Sequence, residues 1–370
     1  MRLQRATPAP RALEVATIGR IEGCTSPESA DLAPDGETLV FGNCAHVVGA
    51  PAYRSGRGIV YLRGKSFVTR ARLDRRAGLV VDERTLIAGL TGTHGIEFVK
   101  RATPMLPAGA ALLCEQAGPQ MEPGADVTLP KDSYTTCILA FDPATGAILG
   151  RIPLGCGSEL SRRFNDIEQP NGIAVTADGA IHVSDMAAGN HAAAWPPLVP
   201  SAIYRIPHEA IDNMIAGGAG SADAVERIVT PGFTNGLAVS NLDGALLAVS
   251  CSDQDPSAGA IHRIRAEDFA AGRQPAPDVG GLGVLDGGGE TRRGTLIGSN
   301  PRTGDIHVFT QDGEHRALVT GGVKPVRAPA DLNVCYPPAF GGEPILIVTD
   351  INPGGAPGEA SVVVLDLSGL

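Results

Sequence analysis

Four oxygen-bearing side chains stand at nearly the same distance from a turn glycine in four separate stretches of the chain. Glu28 precedes Gly36 by eight residues, Asn171 precedes Gly179 by eight, Asp286 precedes Gly294 by eight and Asn235 precedes Gly244 by nine. Two carboxylates and two amide oxygens make a donor set for a hard divalent cation. Ca²⁺ fits first, with waters completing six to eight oxygens at about 2.3–2.6 Å, and Zn²⁺, Mn²⁺ and Mg²⁺ are the alternatives. Without a cation, Glu28 and Asp286 would repel each other in a confined space. An ion held this way can polarise a carbonyl oxygen while Asp286, or else His94 in Thr-His-Gly-Ile-Glu-Phe, takes a proton from water. Each residue alone also has a plain reading. Asn171-Gly172, Asn235-Gly236 and Asp286-Gly287 are turn dipeptides, Glu28 is a solvated carboxylate, and His94 is a packed histidine. Only the common register sets the group apart.

That register requires elements that bring distant segments to one place. A short β-pattern recurs six times, as GIVYL (58–62), CILAF (137–141), AIYRI (202–206), AIHRI (260–264), DIHVF (305–309) and SVVVL (361–365). The spacings are too uneven for a solenoid but suit propeller blades with unequal loops. Upstream of most of them lies a strand, an Asp-Gly or similar turn and a second strand, over 30–43, 173–185, 237–250 and 288–300, which reads as a hairpin. The predicted fold is all-β, one six-bladed β-propeller spanning 1–370 with a central metal-binding channel. The first strand of each blade lines that channel, so residues at its start converge on one face. Residues 1–20, with LEVATIG at 13–19, could add a strand to the last blade and close the ring.

Composition narrows the field further. Gly 48 and Pro 29 with 4% aromatics favour many short elements over long helices. A net charge of −10 disfavours nucleic acid and anionic membrane as partners and suits a bound cation. Seven cysteines without C-x-x-C spacing suggest buried, reduced thiols, Cys24 with Cys44 being the pair to check. The first thirteen residues lack an apolar signal core, no run reaches membrane-span length and no N-x-S/T sequon occurs, so a cytoplasmic monomer or small homo-oligomer is expected. G-x-S-x-G, H-E-x-x-H and a Walker loop are all missing, and Gly64-Lys65-Ser66 lacks the upstream glycine of a phosphate cradle.

SPESADLAPDGETLVFGN, RRFNDIEQPNGIAVTADGAIHVSD, TNGLAVSNLDGALLAVS and DLNVCYPPAFGGEPILIVTD, in this order, resemble the gluconolactonase, senescence-marker-protein and luciferin-regenerating-enzyme family and its paraoxonase-like relatives. The resemblance implies a divalent metal, usually calcium, on positions matching Glu28, Asn171, Asn235 and Asp286, and hydrolysis of a small-molecule lactone or ester. It implies a catalytic histidine at His94. A His-His dyad is not expected, because the following strand reads ALLCEQ and offers Glu115 instead. Arg163-Phe164-Asn165-Asp166 is similar to the family's Arg-x-Asn-Asp, which makes Arg163 and Asn165 substrate contacts and leaves Asn165 a competitor of Asn171 for the metal. Loops joining second and third strands should wall the pocket, bringing in Tyr134, His191 and Trp195. Phosphotriester hydrolysis, a lyase-type step and a non-catalytic propeller rigidified by its metal are the alternatives.

Overall fold

A computed structural model describes residues 10–48, 59–115, 120–134, 136–164, 167, 169–186, 201–230, 233–251, 259–351 and 358–370. Six antiparallel sheets, each entered by its innermost strand, form the blades of a propeller. Blade 1 runs Ala30–Leu32, Thr38–Asn43, Ser66–Asp74 and Gly78–Leu90; blade 2 runs Thr93–Phe98, Ala111–Glu115, Cys137–Phe141 and Ile148–Pro153. Blade 3 is Pro170–Val175, Ile181–Asp185, Ala202–Ile206 and Glu226–Val229; blade 4 is Phe233–Val239, Leu246–Cys251, Ala260–Ile264 and Pro277–Gly280. Blade 5 holds Gly288–Glu290, Leu296–Asn300, Asp305–Phe309 and His315–Val319; blade 6 holds Pro329–Cys335, Ile345–Asp350 and Ala360–Asp366.

The hairpin glycines behave as the sequence requires. Gly36, Gly179, Gly244 and Gly294 have φ of 74°, 87°, 74° and 75°, a left-handed conformation that costs glycine little. Central strands read as unbroken apolar runs because both of their faces are covered. In blade 2, Leu112 and Ile138 pack into the seam with blade 3, whereas Leu113 and Leu139 pack into the seam with blade 1. Each of the six seams between neighbouring blades holds its own apolar cluster, so burial is distributed around the ring.

Ring closure follows the sequence expectation in part. Thr17–Cys24 pairs antiparallel with Ala360–Asp366 and becomes the outer strand of blade 6. Arg11–Glu14 departs from it and pairs in parallel with His315–Val319 at the edge of blade 5. One repeat is corrected. Ile59–Leu62, within GIVYL, is not a blade strand; it joins His46–Val48 and Gln120–Met121 in a separate three-stranded sheet. The third strand of blade 1 is Ser66–Asp74, where alternating buried residues such as Val68, Ala71 and Leu73 are interleaved with Arg70 and Arg72. The more uniform apolar run GIVYL had the stronger strand signature.

The cysteines meet the expectation of reduced thiols, and that of burial in part. Cys24 and Cys44 are both free thiols; Cys24, Cys44, Cys114 and Cys137 are buried, but Cys156 is exposed and Cys335 half-buried. Among the described residues, no helix is long and apolar enough to cross a membrane.

Candidate functional site

The inner strands meet so closely around the axis that a side chain is excluded from alternate positions. A Cβ on Gly95 would lie 2.4 Å from the Asn171 carbonyl oxygen; on Gly172, 2.4 Å from the Leu237 nitrogen; on Gly236, 2.5 Å from the Asp286 carbonyl oxygen. These glycines are not in the left-handed region, so His94-Gly95, Asn171-Gly172, Asn235-Gly236 and Asp286-Gly287 are not turns. The first three lie within inner strands and Asp286-Gly287 directly precedes one, and each glycine permits the close approach of the next blade's innermost segment. Hydroxyl groups on second strands fasten this arrangement. Ser184 Oγ accepts from the Gly172 N–H at 2.8 Å and donates to the Asn235 carbonyl at 2.6 Å. Ser299 does the same between Gly287 and Ala330, and Thr349 donates to the Glu28 carbonyl at 2.9 Å.

The residues preceding those glycines consequently converge. Oε1 of Glu28 lies 3.6 Å from Nδ1 of His94, and Nδ2 of Asn171 lies 3.4 Å from the same nitrogen. Asn235 stands beside Asp286, where its amide favours the charged carboxylate. Asn171, Asn235, Asp286 and His94 are buried, and the Glu28 side chain is 16% exposed. Blade 6 contributes Ala330 at the equivalent position, and the next residue, Asp331, accepts from Ser29 Oγ at 2.5 Å. Asp331 was missed from sequence because the blade 6 hairpin turns through the longer Tyr336–Pro344 segment, which breaks the eight-residue register.

Electrostatics divide the carboxyl groups. Burial pushes the Asp286 carboxyl well above the usual range, and the charges of Glu28 and Asp331 push it further. Asp331 is raised to about 7, mainly by burial, with Glu28 and Glu97 adding to the shift. Burial acts on Glu28 in the same direction, but the hydrogen bond and charge of His94, with the charge of His46, outweigh it and hold Glu28 below its usual range. The pattern is that of a buried anionic site with too little positive charge of its own. Among the described residues, the buried Oδ1 of Asn235 meets no hydrogen-bond partner.

The small sheet made by His46–Val48, Ile59–Leu62 and Gln120–Met121 packs against this ring beside His94. Tyr61, 3% exposed, sets its ring edge-on to His94 at 5.3 Å and to His46 at 6.4 Å. His46 thus supplies a second imidazole near Glu28 and His94, from a connecting segment and not from the strand after His94. No periodicity marks it in the sequence. Glu115 instead accepts from the Thr91 N–H at 3.1 Å and lies 3.6 Å from the Cys137 thiol. Cys44 Sγ is 4.0 Å from Nε2 of His94, but burial, and then the charge of Glu28, push this thiol up, which leaves it a poor nucleophile.

The other expected contacts fare differently. Arg163, in the helix Glu159–Phe164, donates to the Ala222 carbonyl and lies 4.6 Å over the Phe164 ring, so its partners lie in blade 3's outer segments and not among Glu28, His94, Asn171, Asn235 and Asp286. Tyr134 follows the turn Lys131–Ser133, which Arg63 ties to the small sheet through a 2.7 Å bond to the Ser133 carbonyl. Asn165, His191 and Trp195 lie outside the described residues. Further along the inner strands lies a cavity of about 450 Å³ whose polar wall includes Asp31, Glu97, Lys100 and Asn333.

Among the described residues no three His, Cys, Asp or Glu side chains form a ready metal cluster. A hard-cation site of the kind drawn from sequence uses two carboxylates only, with amide oxygens and water. The unpartnered Asn235 oxygen and the repelling Glu28 and Asp286 carboxyls fit such an ion.

No family model matches the chain, and no curated protein matches it. Solved structures do share its fold. A luciferin-regenerating enzyme has 13% identity and a TM-score of 0.53, covering 94% of this chain and 92% of that one. A Thermus thermophilus protein provisionally named as an oxidoreductase (glucose dehydrogenase) has 16% identity, a TM-score of 0.52 and coverages of 94% and 99%. The calcium-binding protein regucalcin from Agrobacterium tumefaciens has 12% identity, a TM-score of 0.50 and coverages of 96% and 94%. At these identities the likeness establishes the six-bladed fold, and the chemistry has to be argued from this chain's own residues.

Proposed function

We propose that this chain is a metal-dependent hydrolase of small lactones or esters, with Ca²⁺ as the ion and Glu28, Asn171, Asn235 and Asp286 as the residues that hold it. The observation that carries the reading is the orphaned Asn235 oxygen beside two buried carboxyls that repel each other. A bound divalent ion supplies Lewis acidity towards a carbonyl oxygen and lowers the proton affinity of water beside it. Calcium binding by the regucalcin relative, named for it, agrees with the choice of ion.

The protein's own part is positioning and proton handling. Asp286 accepts the proton of the attacking water and returns it to the leaving oxygen; burial raises the proton affinity of this carboxyl, and an ion held by it would lower it again. His94 is held between Glu28, Asn171 and Tyr61, where it fixes the orientation of the Glu28 carboxylate. The small sheet carrying His46 and Tyr61 shields that side of the ring from water.

The test is alkali uptake on a panel of lactones and esters, with and without chelator. Hydrolysis lost on chelation and restored by Ca²⁺, with Asp286→Asn inactive, supports the proposal. The competing reading, a binding propeller in which an ion only relieves the Glu28, Asp286 and Asp331 repulsion, is favoured if chelation lowers stability and no substrate turns over.

A further inference from the structure

Blade 5 carries a pair of imidazoles far along its sheet from the channel. His307, in Asp305–Phe309, and His315, in His315–Val319, stand on the same face of neighbouring strands, the face turned to blade 4. Nδ1 of His307 is 3.1 Å from Nε2 of His315. Phe309, directly opposite His315 in the ladder, stacks on it at 4.4 Å and fixes the ring. The two remaining nitrogens, Nε2 of His307 and Nδ1 of His315, are buried and meet no partner. His307 itself is only 7% exposed.

Two neutral imidazoles facing each other share one proton. Whichever tautomers they adopt, one N–H and one lone pair remain unsatisfied on the far side. Burial keeps both rings neutral: it is the main cause that holds His307 at about 4, with the charge of His315 adding to it, and it lowers His315 as well. Neutral imidazole is the form that binds metal, and moving the shared proton to a far nitrogen leaves a lone pair on each of the two facing nitrogens. Two nitrogen ligands at 2.0–2.1 Å from a tetrahedral ion are about 3.3 Å apart, close to the 3.1 Å found here.

We propose that His307 and His315 form a two-imidazole clip for a borderline divalent transition ion such as Zn²⁺, distinct from the hard-cation site in the channel. Asp305, two residues before His307 on the same face and 2.9 Å from the Lys324 ammonium, supplies a third donor or leaves that position to water. No three His, Cys, Asp or Glu side chains converge here in advance, among the described residues, so water completes the coordination, and the half-buried His315 gives access to it. On binding, the shared proton moves to a far nitrogen and no proton is released. Two metal–nitrogen bonds replace one N–H···N contact, and the number of unsatisfied nitrogens stays at two.

The test is calorimetric titration of the full chain with ZnCl₂ in saturating Ca²⁺, which keeps the channel residues occupied. The wild type should take up one Zn²⁺, and His315→Gln should weaken that step by roughly tenfold or more, since losing even a supporting residue of a metal site costs that much. No Zn²⁺ uptake by the wild type, or equal uptake by the variant, overturns the proposal. Imidazole NMR of the wild type provides a reading that does not depend on the variant's folding. The His307 and His315 signals should move together at one equivalent, and movement of other histidines while these two stay still overturns the assignment.

Discussion

Replacing Asp331 by asparagine should flatten the pH dependence of stability in the ion-free protein. Asp331 has its carboxyl raised from 3.8 to about 7, chiefly by burial. A group whose folded value lies above its unfolded value contributes stability that is fully present below the unfolded value and is lost as pH rises through the folded one. The window here is therefore pH 4 to 7. Three pH units at about 1.4 kcal/mol each give at most about 4 kcal/mol lost across it. An amide at this position can still accept from Ser29, and it carries no charge to repel Glu28 and Asp286. Asp286 and Asp31 are raised too and will leave a residual slope in both proteins. Urea unfolding in chelator at pH 4.5, 6 and 8 measures the difference. Asp331→Asn should gain on the wild type by about 2–4 kcal/mol between the lowest and highest pH. Parallel profiles would refute the electrostatic account of the ring.

Other expectations follow from the same geometry. Gly172→Ala places a Cβ 2.4 Å from the Leu237 nitrogen and 2.6 Å from the Asn235 carbonyl oxygen, so it should cost about 1–3 kcal/mol as an overpacked site and disturb ion binding together with stability; denaturation and Ca²⁺ titration read both. Arg263→Met leaves Glu290, 1% exposed and bonded to Arg263 at 2.6 Å, as a buried uncompensated charge. A loss of about 3 kcal/mol is expected, read by urea unfolding of the variant beside the wild type. Arg163→Ala should leave lactone turnover within about twofold, since its partner in the structure is Ala222; a loss of more than about tenfold, equivalent to 1.4 kcal/mol, would mean that Arg163 turns to the ring during catalysis.

Much of the fold was legible because its repeats are written in short-range signals. The Asp-Gly turns at Gly36 and Gly179 and five of the six recurrent strand patterns fall where the blades need them. The first pattern misled, since Ile59–Leu62 satisfies its own small sheet with the same β-branched chemistry that a blade strand uses. Glu28, Asn171, Asn235 and Asp286 were visible through their distance from the turn glycines, a distance that measures inner-strand length, and His94 through its Thr-His-Gly-Ile context alone. Asp331 follows a different turn and His46 arrives on a connection, so neither obeys that measure. The glycines after the ring residues looked like turn formers. Their reason is tertiary, the crowding of neighbouring inner strands at the axis, which no local pattern contains.

Calcium titration of the chelated protein, wild type beside Asn235→Ala and Glu28→Gln, bears most directly on the channel site. The site described here predicts one Ca²⁺ per chain in the wild type and binding weakened at least about tenfold, or 1.4 kcal/mol, in both variants. A wild type that binds no divalent ion, or variants that bind as tightly as it does, would contradict it.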